Sequence, residues 1–138
     1  MKYLLSSVCL LLLLGGCARS AGPEGVVNRW ATALEGKDLD KLMSTYADDA
    51  EVVLIGVDGA ETVMSGFDEI EALQRGTTDN PDIQLEIGLS ETDIVADGDE
   101  ATCSVMVVSG EAELENVLEL ARREGEWQIQ RQTISLEP

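Results

Sequence analysis

The side chains best suited to proton transfer or cation binding in this sequence are the adjacent carboxylates Asp48 and Asp49, within YADDAEVVLIG, residues 46–56. Two neighbouring carboxylates can share a proton or hold a cation. Here they stand between an apolar helical pattern and a β-branched apolar run. Asp favours such turns because its short side chain bonds nearby backbone amides. Their expected place is therefore the helix-to-strand junction, outside any pocket. Calcium would need further oxygen ligands at loop spacing, and no D-x-D-x-D-G pattern occurs. The chain has no histidine, so the commonest general base near neutral pH and the commonest zinc ligand are absent. No metal site and no cofactor are expected. Cys103 lies in the alternating stretch ATCSVMVV and reads as a small buried hydrophobe. A catalytic thiol would want a neighbouring base, and no histidine supplies one.

The elements that must position these groups are legible from periodicity. Val26, Val27, Trp30, Ala31 and Leu34 recur at helical spacing, with Gly36 as the stop. Asp38 can cap a second helix with Leu39, Leu42, Met43 and Tyr46 on one face. EVVLIGV reads as a strand, Asp58-Gly59 as a turn, and ETVM as a short return strand. Ser65 and Asp68 resemble a capping box opening a third helix, with Phe67, Ile70 and Leu73 inward. Residues 76–82, GTTDNPD, read as a loop. Alternation follows in Ile83, Leu85, Ile87 and Leu89, then in Ala101, Cys103, Val105 and Val107, with a hairpin at Asp97-Gly98. Leu114, Leu118 and Leu120, then Trp127 and Ile129, continue the meander after turns near Gly110 and at Glu124-Gly125. The alternation slips between Thr133 and Ile134, which suggests a bulge. Helices first and a long meander afterwards predict an α+β domain whose antiparallel sheet curls around about three helices. Met43, Met64 and Met106 are read as core residues, suited to an adaptable apolar pocket if they line one.

The first residues form a separate signal. Met1-Lys2 is a short basic start, and Leu4 to Leu14 is apolar apart from Ser6 and Ser7. That run is short for a membrane-spanning helix. It ends in Leu14-Gly15-Gly16-Cys17, which resembles the lipobox of bacterial lipoproteins. The resemblance implies a signal peptide over residues 1–16, a lipidated Cys17 and a tether over 17–23. Membrane attachment would then run through N-terminal acyl chains, each buried methylene contributing about 0.8 kcal/mol. Ala18 follows the cysteine, so the aspartate that retains enteric lipoproteins in the inner membrane is missing. The implied location is the cell envelope, on the periplasmic face of the outer membrane in a Gram-negative cell. Cys9 would leave with the signal, and the mature domain would hold no internal disulfide.

With 138 residues the chain suits one ordinary domain. Its net charge of −18, from 27 acidic and 9 basic residues, repels phosphate backbones and argues against a nucleic-acid partner.

The stretch VVNRWATALEGKDLDKLMSTYADDAEV, then SGFDEI, then REGEWQI, resembles the NTF2-like cone fold in its SnoaL-like and ketosteroid-isomerase-like branch. The likeness covers about residues 24–136 and assigns the domain to 24–138. It implies a curved sheet wrapped around helices, with an apolar pocket at the open end. Candidate liners are Trp30, Tyr46, Leu54, Phe67 and Trp127. The same family includes isomerases, cyclases and dehydratases as well as non-catalytic binding domains. Steroid-isomerase relatives place a general-base aspartate four residues after the last Ala of the ADDA motif, where this chain has Leu54. They place an oxyanion-stabilising tyrosine on the first helix, where it has Trp30. Other relatives use histidines after the G-x-W strand start, where QRQTIS offers Arg131. Leu54 accepts no proton, and an indole only donates a hydrogen bond. Glu119 is the remaining catalytic candidate, on the strand where relatives keep a second pocket acid.

Three readings follow. One is a non-catalytic, lipid-anchored domain that binds a small apolar ligand or a peptide segment. Another is an isomerase, dehydratase or cyclase using Glu119. The last is an interaction module whose sheet forms a homodimer or docks another envelope protein, favoured if Met106, Val108 and Val117 expose an apolar face.

Overall fold

The computed structural model describes residues 22–88 and 94–136. The lipobox with Cys17, and Leu89, lie outside the described residues. Helix α1 spans Pro23–Glu35. Pro23 occupies its first turn, where a missing N–H costs nothing. It buries the predicted face, Val26, Val27, Trp30, Ala31 and Leu34, and ends at Gly36. Helix α2, Leu39–Met43, is capped as expected: the Asp38 side chain accepts the Lys41 N–H at 3.2 Å. It is only five residues long. Tyr46, expected on its apolar face, instead opens strand β1, Tyr46–Ile55.

Strand β2, Glu61–Ser65, returns antiparallel to β1 after the Asp58-Gly59 turn. Gly59 holds φ +85° there, a conformation that penalises any Cβ. Helix α3 spans Phe67–Thr78. The expected capping box does not form. Gly66 is the N-cap at φ +87°, and Glu69 reaches back to accept the Ser65 N–H at 3.2 Å. The helix also runs through Gly76-Thr77-Thr78, which the sequence reading placed in a loop. It carries a buried stripe, Ile70, Gln74 and Thr78, at helical spacing, and that packing outweighs the poor propensity of Gly and Thr. Phe67 shares the stripe's direction but is 36% exposed. Its turn adjoins β2, an edge strand whose own side chains are mostly exposed.

The remaining strands are β3 (Leu85–Gly88), β4 (Ile94–Asp97), β5 (Glu100–Ser109), β6 (Ala112–Arg123) and β7 (Glu126–Leu136). Ile83 lies outside β3. The sheet order is β2-β1-β7-β6-β5-β3, and β4 also pairs with β5. Strands β3 and β4 share one edge of β5 end to end. The sheet is mixed, not purely antiparallel, because β1 and β7 pair in parallel. No hairpin joins these two strands, so no turn forces them to run in opposite directions.

Two irregularities shape the curved sheet. Between Tyr46 and Glu51, β1 advances five residues while β7 advances only two, from Ile129 to Arg131. Ala47-Asp48-Asp49-Ala50 is thus a strand bulge, with both alanines buried and both aspartates exposed. The second irregularity is at Gln130, which β6 skips in pairing Glu119 with Arg131 and Leu120 with Ile129. The slip lies there, not between Thr133 and Ile134. It switches the inward set from Trp127 and Ile129 to Gln132 and Ile134. Bulges of this kind bend a strand and increase its twist.

The core lies between the three helices and the inner sheet face. Trp30, Leu42, Ile70, Val52, Leu118 and Ile129 anchor it, and Cys103 is fully buried within it. Met43 belongs to this core and Met64 packs at its border, but Met106 lies on the outer face, 36% exposed. Among the described residues no helix is long and apolar enough to cross a membrane.

Candidate functional site

At one end of the fold, the last turn of α1, the second half of α3 and the ends of β5, β6 and β7 leave a cleft of about 300 Å³. Its walls are mainly aliphatic, with Leu34, Leu54, Leu73, Val107, Leu114 and Ile134 prominent. Leu54 reaches it because β1 sets it beside Ile134 of β7. No ionisable side chain lines it among the described residues.

The polar part of the wall comprises the hydroxyl residues Thr77 and Ser109 and three amides, Gln74, Asn116 and Gln132, the amides each nearly sealed from solvent. The amides belong to one buried hydrogen-bond chain. Trp30 Nε1 donates to Tyr46 Oη at 3.1 Å, and Gln74 Nε2 donates to the same oxygen at 2.9 Å. Tyr46 donates to Gln132 Oε1. Gln132 Nε2 donates to Asn116 Oδ1 at 2.7 Å, and Asn116 Nδ2 donates to the Leu114 carbonyl at 3.2 Å. Each element contributes by register: α1 gives Trp30, the start of β1 Tyr46, α3 Gln74, and the paired strands β6 and β7 the other two. Burial pushes the Tyr46 phenol well above its ordinary range, only partly offset by the hydrogen bonds from Trp30 and Gln74. At neutral pH every member of this hydrogen-bond network is uncharged.

The five expected pocket liners separate. Leu54 lines the cleft. Trp30 and Tyr46 are sealed behind it, and reach it only through the amides they bond. Phe67 does not line it. Trp127 is buried toward the opposite end of β7, with the Arg122 guanidinium 5.4 Å from its ring centroid. Glu119, the candidate acid, is on the outer face, where its carboxylate lies 3.9 Å from Arg131 and both side chains are about half exposed. An inward position on β6 belongs to Asn116, Leu118 and Leu120. Asp48 is exposed, and Asp49 bonds Arg123 at 3.1 Å and Gln130 at 3.1 Å. Those bonds, from Gln130 first and then Arg123, hold the Asp49 carboxyl below the ordinary aspartate value. Among the described residues no group of three or more Asp, Glu, Cys or His side chains could hold a metal.

The three amides escaped the sequence reading. Asn116 carries the one legible signal: it is a polar residue at an inward position of the Leu114–Leu118–Leu120 alternation. Gln132 is inward only because of the slip at Gln130, and Gln74 only because α3 continues past it.

The SnoaL-like domain model matches residues 24–133, which include all the cleft liners except Ile134 and Leu136. The chain belongs to the SnoaL-like family. No curated protein matches it. Among solved structures, a ketosteroid isomerase-like protein from Erwinia carotovora atroseptica is 21% identical with a TM-score of 0.65, over 84% of this chain and 95% of that one. An NTF2-like protein of unknown function from Shewanella baltica is 15% identical with a TM-score of 0.64, over 82% and 89%. A third, from Silicibacter pomeroyi, is 18% identical with a TM-score of 0.64, over 88% and 98%. These similarities extend the fold of this SnoaL-like domain to the NTF2-like cone.

Proposed function

We propose that this SnoaL-like domain is a non-catalytic binding module, anchored to the bacterial envelope through Cys17, that holds a small apolar ligand in its cleft. The observation that carries the reading is the character of the wall: aliphatic side chains, neutral amides, two hydroxyl residues and no carboxylate, amine or guanidinium among the described residues. General acid–base work needs a titratable group within about 3 Å of the transferred proton, directly or through one water. Leu54 meets the ligand where a base would be needed, and Glu119 is on the other face of the sheet. A volume of about 300 Å³ is at the small end of ligand pockets.

The start of α1 and the cleft are at opposite ends of that helix. Pro23 and Glu24 lie beside Ile94 and Ala96 of β4, whereas the other end of α1, at Leu34, borders the cleft. A 13-residue helix separates them by about 20 Å.

A second reading has one observation in its favour. Ser104, Val117 and Thr133 form an uncharged, partly exposed row across the outer face of three paired strands; the row passes under the buried Val53 and emerges again at the exposed Val63. Such a row suits a homodimer contact, compatible with ligand binding on the inner face.

The test is native mass spectrometry of protein isolated from cells. Expected are a lipid-modified Cys17 and a retained apolar mass that dissociates on unfolding. Cys17→Ser should leave an unprocessed or soluble chain. A wild-type mature chain without acyl mass would defeat the anchor. Turnover of a bound compound, lost in a cleft variant such as Leu54→Glu, would defeat the non-catalytic reading.

A further inference from the structure

Cations are scarce in this chain, 9 against 27 acidic residues, so a basic side chain that finds no acid is informative. Arg75 pairs with Glu71 at 2.8 Å, Arg122 with Asp99 at 2.7 Å and Arg123 with Asp49 at 3.1 Å, and Arg131 lies 3.9 Å from Glu119. Arg29 is the exception. Among the described residues it has neither an ion pair nor a hydrogen bond.

Arg29 is exposed on the outer side of α1 and lines a groove of about 430 Å³ between α1 and the end of α2. Asn28, Thr32 and Ala33 complete the α1 wall, and Lys41 and Ser44 form the α2 wall. Residues four apart are neighbours on a helix, so Asn28 with Thr32 and Arg29 with Ala33 make one strip of α1. Ala33 is buried, and its single methyl leaves room between the helices. The groove shares no lining residue with the aliphatic cleft.

Most of the donors bordering this groove are uncommitted. Lys41 Nζ is 3.9 Å from the Asp38 carboxylate, beyond hydrogen-bond reach, and its side chain is 80% exposed. The Asn28 amide and the Thr32 hydroxyl have no hydrogen-bond partner among the described residues. The Ser44 hydroxyl is spent, donating to the Lys41 carbonyl at 2.6 Å. No carboxylate lines the groove among the described residues. The net charge of −18 opposes an anion at long range. At physiological salt, however, exposed charges beyond about 8 Å are largely screened, so the two cations of the groove set its local sign.

We propose that the α1–α2 groove is an anion site that takes a phosphate monoester, its oxygens held by Arg29 and Lys41 with Asn28 and Thr32 as neutral donors. A guanidinium offers a planar fork to two oxygens, and an ammonium adds a point charge. Phosphate suits this set better than a carboxylate, because a monoester carries about −1.5 to −2 charge and has three oxygens for donors coming from two helices. The chemistry recognised is the same on a soluble monoester and on a phosphatidate headgroup. The site stands independently of what the cleft binds.

The test is ¹H–¹⁵N NMR of the full chain, titrated at constant ionic strength with inorganic phosphate, glycerol phosphate or acetate, and with sodium chloride as the control. The readouts are the Arg29 Nε–H and Asn28 side-chain resonances. Both should move saturably with either phosphate, and more tightly than with acetate. Arg29→Gln, at an exposed position, should weaken phosphate binding about tenfold as read at Asn28, the effect of losing a charged hydrogen bond. Lys41→Gln should weaken it too, while Arg75→Gln, a cation removed from α3, should leave it unchanged. Phosphatidylcholine vesicles with and without phosphatidate separate the two sources. Phosphatidate-dependent capture that Arg29→Gln abolishes would place the phosphate on a lipid; glycerol phosphate binding without such capture would place it on a soluble molecule. Equal binding of acetate would overturn the phosphate class. Movement matched by sodium chloride, or left intact by Arg29→Gln, would overturn the site.

Discussion

The indole nitrogen of Trp30 and the phenol oxygen of Tyr46 stand 3.1 Å apart, with both side chains sealed in the core. One comes from the first helix and the other from the start of the first strand, so this hydrogen bond ties α1 to the sheet, as the Gln74 bond to the same oxygen ties α3. Through Tyr46 the same bond organises the cleft amides.

Tyr46→Phe keeps the ring and removes the hydroxyl. Trp30 Nε1, Gln74 Nε2 and Gln132 Oε1 then lose a common partner. The expected loss of stability is about 1–3 kcal/mol, the range for buried polar groups left unpaired. Trp30→Ala should cost more, about 3–5 kcal/mol, because it also leaves a cavity. Chemical denaturation with unchanged m-values would measure both. A Tyr46→Phe chain as stable as wild type would show that the polar chain adds nothing to folding.

Alkaline pH should weaken the fold through the same residue. The Tyr46 phenol is raised above its ordinary value of 10.0 by burial. A raised folded value favours the protonated form in the native state. The stabilisation is fully present below pH 10 and is lost as pH rises from there toward the folded value. Thermal midpoints should be flat up to about pH 10 and fall above it. Tyr46→Phe should flatten the alkaline limb.

Asp49 works in the opposite sense. Gln130 and Arg123 lower its carboxyl, so its contribution is present above the ordinary aspartate value and disappears as pH falls through the lowered one. The group is exposed, so the effect is best read by carboxyl NMR titration. The midpoint should lie below that of free aspartate and rise in Gln130→Ala and in Arg123→Ala. Asp48 is equally exposed, and Asp48→Asn should not disturb the Asp49 titration.

The uncharged outer row should support self-association. A chain beginning at residue 24 is expected to sediment as a dimer at about tens of micromolar, as for a standard-sized interface. Val117→Glu, placed mid-row between Ser104 and Thr133, should yield monomers without unfolding. Monomers in the wild type at that concentration would remove the outer face as a homodimer surface.

The burial of α1, the Asp38 cap, the hairpin turns and the alternation of β5 and β6 were all legible, because each depends on residues a few positions apart. Position 54 was singled out only by the family resemblance, whose ADDA motif counts forward to Leu54; in the structure Leu54 lines the cleft. What the sequence did not disclose is how one strand meets another. Asp49 resembles a local turn former, yet its partner Arg123 is 74 residues away, brought there by the β1 bulge. Gln132 resembles a surface residue until the skipped pairing at Gln130 turns it inward. Glu119 falls outward because Leu118 and Leu120 claim the core, and no count along the chain says which of two alternating sets a curled sheet will cover. Periodicity belongs to one segment and is written in its own residues. Register, bulges and the direction of a hydrogen-bond chain belong to pairs of segments, and exist only once the helices have chosen the face they pack against.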